Sequence, residues 1–193
     1  MYVRDARNRD EVWLLDHIEA MGLDGTAFRS RDYVIAVDEN TNERAGFGRI
    51  RIHVLDDDSE ILELTSIGTL EDWRGQGVGA HVVERLVTKA KDADFETVYA
   101  LTGAPEYLAQ FGFESISADE LPEKLQQRLD EKREELEPEA APVVVEIDDF
   151  SIPEALRERF KNAEKYVEPE PEDTAEDFGI DPKGATYKYD TGR

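Results

Sequence analysis

Three glycines occupy alternate positions where the sequence passes from an apolar run into an amphipathic one, in the segment RGQGVG at residues 74–79. Glycine costs conformational entropy, so a bare backbone at this junction indicates either an unusual turn or the close approach of an anion. The segment from Val78 to Ala90 has the apolar spacing of a helix, and the N–H groups at a helix start attract negative charge. The spacing therefore favours phosphate binding, with a ligand-free turn as the alternative.

Two common phosphate-binding patterns do not fit this segment. A P-loop requires a lysine and then a hydroxyl residue after its last glycine, whereas Gly79 is followed by Ala80 and His81. The dinucleotide-binding fingerprint has glycines at its first, third and sixth positions, whereas here they fall at 75, 77 and 79 and position 80 is Ala. The pattern that remains is Arg74-x-x-Gly77-x-Gly79, in which peptide N–H groups rather than basic side chains would hold an anion.

The elements that must position this loop follow a regular order. Hydrophobic periodicity predicts β-α-β-β-β-α-β-α-β, then a charged helix at about 121–137, a strand, a last helix and a tail. Short turns make the first three sheet strands after the first helix antiparallel, and the strand–helix–strand step through the glycine loop makes a parallel pair. The predicted fold class is α/β, with a mixed, mostly antiparallel central sheet and flanking helices.

With these elements in place, the sequence resembles the GNAT superfamily, the Gcn5-related N-acetyltransferases. Their signature, Gln/Arg-x-x-Gly-x-Gly/Ala between a strand and a helix, is matched by RGQGVG, and YLAQFGFE at residues 107–114 resembles a later segment of the family. The order of elements agrees over about residues 1–150. We expect a GNAT domain there, followed over residues 151–193 by a C-terminal helix and an acidic, flexible tail.

The resemblance implies acetyl-CoA as cosubstrate and no metal. The N–H groups of residues 75–80 would hold its pyrophosphate, and the end of the preceding strand would pair with its pantetheine arm through the backbone. The implied cofactor-binding residues are Ile67, Gly68, Thr69, Arg74, Gly75, Gln76, Gly77, Val78, Gly79 and Ala80. The three histidines have no spaced partners for a metal site, so we interpret them as structural.

Glu63 is the candidate general base. Alternation in ILELTSIGTL predicts that Glu63, Thr65, Ile67 and Thr69 share one face of their strand. The resemblance implies a carboxylate four residues before the position of Ile67, acting on the amine through a water molecule. The alternative is a partly exposed strand carboxylate with no catalytic role.

Tyr107 is the candidate general acid. The family's usual tyrosine stands four residues before the glycine of the GF segment, a position that Leu108 occupies here, with Tyr107 about 100° away around the helix. Either Tyr107 serves as the acid, or it only packs and the departing thiolate takes its proton from water.

Composition excludes several kinds of protein. There is no cysteine, so disulfides, thiolate metal sites and a cysteine nucleophile are absent, and 46 acidic against 23 basic residues disfavour a nucleic-acid partner. The net charge of −23 predicts a surface adapted to high salt, with a basic partner as the alternative. Neither a signal peptide nor a membrane span is recognisable, which predicts a cytoplasmic protein.

The resemblance implies that the acceptor is an amine. The segment VYALTGAPEYLAQFGFESISADELPEKL resembles the amino-acid acetyltransferase branch of the family, the N-acetylglutamate synthase-like proteins. We therefore expect direct acetyl transfer, in a ternary complex, to a small-molecule amine such as an amino acid. Acetylation of a protein N-terminus or lysine, a non-catalytic acetyl-CoA sensor, and a C-terminal interaction module remain alternatives, as does a homodimer for the oligomeric state.

Overall fold

Twelve regular elements lie in residues 1–167, the part of the chain that the computed structural model describes. The strands are β1 (Tyr2–Asp5), β2 (Tyr33–Val37), β3 (Arg44–Val54), β4 (Glu60–Thr69), β5 (Thr97–Thr102), β6 (Glu114–Ser115) and β7 (Ala141–Glu146). The helices are α1 (Glu11–Ala20), α2 (Val78–Asp92), α3 (Pro105–Ala109), α4 (Glu123–Glu135) and α5 (Glu154–Lys161). The predicted order of elements is confirmed. The predicted acidic tail lies, from residue 168 onward, outside the described residues.

One sheet holds all seven of these strands, in the order β1-β2-β3-β4-β5-β7-β6. Every neighbouring pair is antiparallel except β4 and β5, which α2 connects and which run parallel. The mixed, mostly antiparallel α/β class is therefore confirmed.

Helices cover both faces of the sheet. The largest core cluster lies between the sheet and α2, with α3 and α5 on the same side. On the opposite side, α1 packs over Tyr33, Ile35 and Phe47, and α4 packs over Leu101.

The helices α1 and α2 differ in how well their inner faces could be predicted. The expected apolar face of α2 is buried as a whole. In α1, helical spacing of apolar residues predicts that Val12, Leu15 and Ile18 face inward, but Val12 and Leu15 are 70% and 41% exposed, and Leu14 is buried together with Ile18. The α1 sequence is apolar on more than one face, so periodicity alone does not select the face that packs.

A β-bulge interrupts β4 beside the glycine loop. Phe47 of β3 pairs with Gly68, and Arg49 pairs with Thr65, so β4 carries one extra residue between these pairs. Ser66 has a φ of 50° there. The extra residue reverses the alternation, because residues two apart on either side of a bulge no longer face the same way.

The bulge makes one prediction wrong. Before it, Leu62 and Leu64 contribute to the cluster under α2, and after it Ile67 packs against that same cluster. Glu63 and Thr65 therefore face the α1–α4 side, whereas Ile67 and Thr69 face α2. The four residues do not share a face.

Asp10 ties the start of α1 to two strands. Its buried carboxylate accepts hydrogen bonds from Arg4 at 2.7 and 3.0 Å, from Arg44 at 2.9 and 3.1 Å, and from the Arg7 N–H at 2.9 Å. Burial alone would raise the pKa of Asp10, but these donors outweigh it and hold the pKa well below its usual range.

Replacing Asp10 with asparagine should therefore change the acid stability. A depressed native pKa gives stability that is present above the unfolded-state pKa, near 4, and that is lost as the pH falls further. We expect Asp10→Asn to lower the free energy of unfolding by about 2 kcal/mol at pH 7 and to flatten its decline below pH 4. Denaturant unfolding between pH 2.5 and 7, at constant KCl, measures both effects; an unchanged pH profile would contradict the assignment.

Candidate active site

The parallel strands β4 and β5 separate at the glycine loop. They pair only at Glu63 with Tyr99 and at Leu64 with Ala100, although β4 continues to Thr69. The edge of β4 beyond Leu64 is therefore left without a β5 partner. Two adjoining spaces lie there: a cleft of about 690 Å³ along the glycine loop and a second cavity of about 290 Å³ between the strands.

The glycine loop presents unpaired donors to the cleft. None of the N–H groups of residues 75–80 finds a hydrogen-bond acceptor within residues 1–167. Gly77 is the N-cap of α2, with a φ of 78° that favours glycine, and no side chain caps the helix. The positive end of the α2 dipole and several free N–H groups are therefore available to an anion.

Most of the predicted cofactor-binding residues line the cleft. They are Ile67, Gly68, Thr69, Arg74, Gly75, Gly77, Val78 and Gly79. Two predicted residues have side chains elsewhere: Gln76 bonds with the backbone of Glu164, and Ala80 is fully buried in the core. These two could contribute to the cleft only through their N–H groups, as the sequence analysis proposed.

Tyr107 lies where the two spaces meet. Five residues line both of them: Leu23, Ile67, Thr69, Gly79 and Tyr107. The Tyr107 hydroxyl is so close to Gly79 that a Cβ built on that glycine would be 2.6 Å from its oxygen. Burial raises the pKa of Tyr107 to about 12, so the hydroxyl keeps its proton at neutral pH.

Leu108 is buried and lines only the second cavity. The short helix α3 thus directs Tyr107, one residue before the usual tyrosine position, to the junction of the two spaces. Its ring is held there by edge-on contact with Phe111 at 5.3 Å.

Glu63 is fully buried on the α1–α4 side of the sheet. Its Oε2 lies 2.8 Å from His53 Nε2 and accepts a hydrogen bond from Arg128 Nε at 3.4 Å. The interpretation of Glu63 as a partly exposed carboxylate is therefore wrong. His53 is partner to a carboxylate and not an isolated core histidine.

Arg128 of α4 contacts both β4 and the segment that follows α1. Besides Glu63, it donates to Asp24, which follows α1, and Asp24 also lies 3.5 Å from Arg51. Burial works to raise the pKa of Asp24, but hydrogen bonds from Thr26 and the charges of Arg128 and Arg51 outweigh it and lower the pKa. Asp24 therefore stays ionised at neutral pH and ties the segment after α1 to α4.

Sequence reasoning missed Arg128, although a signal was present. Leu125, Arg128 and Leu129 recur at the spacing of one helix face, and all three are buried. An arginine within an apolar stripe needs a buried carboxylate partner. The general charge of α4 concealed this stripe.

Two buried side-chain oxygens of β4, on residues two apart in the strand, have no hydrogen-bond partner within the described residues. They are Glu63 Oε1 and Thr65 Oγ1. Both face the α1–α4 side, and Thr65 lines the second cavity. Such orphan acceptors indicate a site for water or for a ligand donor group.

Comparison with known proteins identifies the family. Residues 3–113, more than half of the chain, match the acetyltransferase (GNAT) family. The chain belongs to this family. It is therefore a GNAT acyltransferase, and the glycine loop, β4 and Tyr107 all lie within the matched region.

Solved structures share the GNAT fold at low sequence identity. N-acetylglutamate synthase from Neisseria gonorrhoeae, complexed with coenzyme A and N-acetyl-glutamate, is 18% identical with a TM-score of 0.60; the match covers 75% of this chain and 34% of the synthase. Rv2747 from Mycobacterium tuberculosis, in complex with CoA, is 19% identical with a TM-score of 0.61, over 76% of this chain and 99% of the other. Naa50 from Arabidopsis thaliana, with the bisubstrate analogue CoA-Ac-MVNAL, is 13% identical with a TM-score of 0.51, over 74% and 95%. This GNAT chain thus spans about a third of the gonococcal synthase.

The described part of this GNAT chain has neither a metal-binding cluster nor a membrane-spanning helix. Residues 1–167 contain no group of three or more His, Asp or Glu side chains placed to hold a metal ion. Their helices are also too short or too polar to cross a membrane.

Proposed function

We propose that this GNAT protein transfers the acetyl group of acetyl-CoA to the primary amine of a small molecule, such as an amino acid, by direct attack in a ternary complex. The observation that carries the proposal is the continuity of the site: free loop N–H groups, an unpaired strand edge and a second cavity follow one another. An extended phosphorylated thioester needs these three features in that order.

Acetyl-CoA fits the residues present. The N–H groups of residues 75–80 suit a pyrophosphate without any basic side chain, and Arg74 on the cleft wall adds a positive charge. The β4 backbone between Thr65 and Thr69 has donors and acceptors for an amide-containing arm. The CoA in the gonococcal and mycobacterial GNAT structures supports the same cosubstrate here. When bound, acetyl-CoA would supply the activated acyl group.

Glu63 and Tyr107 would each act on one proton of the reaction. Glu63 takes the proton that the amine loses, through water at the orphan oxygens of Glu63 and Thr65, since Glu63 itself lines neither space. Tyr107, protonated up to about pH 12, is available as a hydrogen-bond donor to the departing sulfur. With so high a pKa it is a poor proton source compared with a thiol, so we assign it stabilisation of the thiolate in preference to full proton transfer.

A small acceptor is supported by the closure of the α1–α4 side. The Arg128–Asp24 ion pair joins the segment after α1 to α4 over the sheet. Lys132 of α4 donates to the carbonyl of Leu101 and pairs with Glu137 at 3.2 Å at the second cavity. These contacts limit the second cavity to about 290 Å³, which the acyl end of the thioester and the acceptor would share; a small amine suits this space, and a polypeptide does not.

The test is release of free CoA thiol from acetyl-CoA with matched sets of amino acids, polyamines and short peptides, in molar KCl. We expect turnover with one or more free amino acids and little with peptides. Preferential acetylation of peptide N-termini or lysines would instead support the protein acetyltransferase alternative. Binding of acetyl-CoA without turnover of any acceptor would favour a sensor.

We also propose that the protein works in a salt-rich cytoplasm. At a net charge of −23, self-repulsion destabilises the compact state, and salt screens it over a Debye length that falls from about 10 Å at 0.1 M to about 3 Å at 1 M. We expect the melting temperature to rise by several degrees between 0.1 and 2 M KCl. A flat or falling melting temperature would contradict salt adaptation and favour a basic partner.

A further inference from the structure

A C-terminal segment, residues 152–167, packs onto the glycine loop from outside the region that matches the family. Within it, the ring of Phe160 stacks on His81 of α2 at 3.9 Å with an interplanar angle of 8°. Phe160 is 7% exposed and belongs to the core cluster under α2. The segment is therefore docked on the α2 start by a buried aromatic contact.

Hydrogen bonds fix the same segment to the loop itself. The side chain of Gln76 donates to the Glu164 carbonyl at 2.7 Å and accepts from the Glu164 N–H at 2.9 Å. The Tyr166 N–H donates to the carbonyl of Asp72 at 2.9 Å. A Cβ on Gly77 would overlap the carbonyl oxygen of Leu156, so glycine at this position is required by α5 as well as by the backbone conformation.

Docking in this way makes α5 one wall of the cleft. Leu156 and Arg159 line the cleft together with Arg74 and the loop glycines. Arg157 and Lys161 on the same helix are paired with Glu84 and Glu158, whereas Arg159 forms no ion pair within residues 1–167. A cleft guanidinium that has no carboxylate partner among the described residues is suited to a phosphate.

We propose that the C-terminal segment completes the cosubstrate site and that Arg159 binds one of the phosphates of CoA. This inference rests on the proposed function, because it takes CoA as the ligand of the cleft. The loop N–H groups and the α5 guanidinium then hold phosphate oxygens from two sides. The affinity for the nucleotide half of CoA depends on a segment outside the matched family region.

Calorimetric titration with CoA tests this without any activity measurement. Arg159→Gln should raise the Kd of CoA about tenfold, and Arg159→Lys should raise it less. Lys161→Gln is the matched control, since it removes a positive charge from α5 at an exposed residue away from the cleft. In 0.5 M KCl the Debye length is only about 4 Å, so an effect of net charge should fade while a direct contact persists. Melting temperatures verify that each variant is folded.

A parallel titration with 3′-dephospho-CoA identifies the phosphate. If Arg159→Gln loses affinity for CoA only, Arg159 binds the 3′-phosphate. If it loses affinity for both ligands equally, Arg159 binds the pyrophosphate. Either result supports the proposal. An Arg159→Gln variant within twofold of wild type, or an equal loss in Lys161→Gln, would overturn it. If the wild-type protein does not bind CoA, the proposed function fails. That outcome is distinct from a failure of the Arg159 assignment alone, in which the wild type binds CoA and the variant binds it equally well.

Discussion

Replacing Gly79 with valine is expected to weaken CoA binding about a hundredfold, or about 2.7 kcal/mol. Gly79 lies at the junction of the cleft and the second cavity. A Cβ there would lie 2.6 Å from the Tyr107 hydroxyl and 3.2 Å from Thr69 Oγ1, and the valine methyls would occupy the passage between the two spaces. The backbone of Gly79 is helical, so valine costs little there by propensity.

The direction of the valine side chain at position 79 should make the loss of affinity specific to ligands that carry the pantetheine arm. It points to the passage that the pantetheine arm would take, while the loop N–H groups stay available to phosphate. Adenosine 3′-phosphate 5′-diphosphate, which lacks the arm, should therefore bind the variant within a few-fold of wild type. Thr88→Val places the same side chain on an exposed part of α2 and should leave both affinities unchanged. Unchanged CoA affinity in folded Gly79→Val would contradict the proposed path.

A double variant separates steric blockage from other causes. In Gly79→Ala, the closest contact of the new methyl is the Tyr107 oxygen, and Tyr107→Phe removes that oxygen. We expect Gly79→Ala alone to lose CoA affinity moderately and the double variant to recover part of it. Equal affinity in the single and double variants would show that the clash with Tyr107 is not the cause.

Local sequence patterns predicted the secondary-structure elements around this site but not the side-chain contacts within it. The glycine loop, the α2 face and the order of helices and strands along the chain follow from spacing within single segments, and all three are present. The bulge at Ser66 was not predicted because regular alternation was assumed along the whole of β4, although Leu62, Leu64 and Ile67 are spaced by two and then by three residues. It nevertheless decides that Glu63 faces α4 and Ile67 faces α2.

The features that the sequence did not predict depend on contacts between segments that are distant along the chain. Arg128 is 65 residues from Glu63 and 104 from Asp24, and Glu164 is 88 from Gln76. Charge patterning identified α4 only as a charged helix and residues 151–193 only as a C-terminal helix and tail, because a single segment does not show which charges pair with one another. Two signals of these contacts are present in the sequence. One is the stripe of Leu125, Arg128 and Leu129 in α4, and the other is Phe160 within the charged helix α5.

Replacing Glu63 with glutamine is expected to lower kcat/KM about a hundredfold at pH 7, within the range that general base catalysis supplies. Glutamine keeps the shape of the side chain and can still hydrogen-bond to His53 and Arg128, but it cannot take a proton. Glu60→Gln, at an exposed position of β4, is the matched control and should be neutral. Because the change also removes one of the two carboxylates that pair with Arg128, the melting temperature must be measured alongside the rate.

The pH profile of Glu63→Gln distinguishes catalysis from a structural role. As pH rises the amine arrives already neutral, so the variant should approach wild-type kcat/KM, whereas a structural defect would not respond in this way. An α-amino group of pKa about 7.7 is roughly one-sixth neutral at pH 7, against about one part in 2,500 for a lysine of pKa about 10.4. Rescue near pH 8 would therefore indicate an α-amino acceptor, and rescue only above pH 10 a lysine-like one. Wild-type activity of the variant at pH 7 would remove Glu63 from the mechanism and leave deprotonation to Thr65-bound water or the acceptor itself.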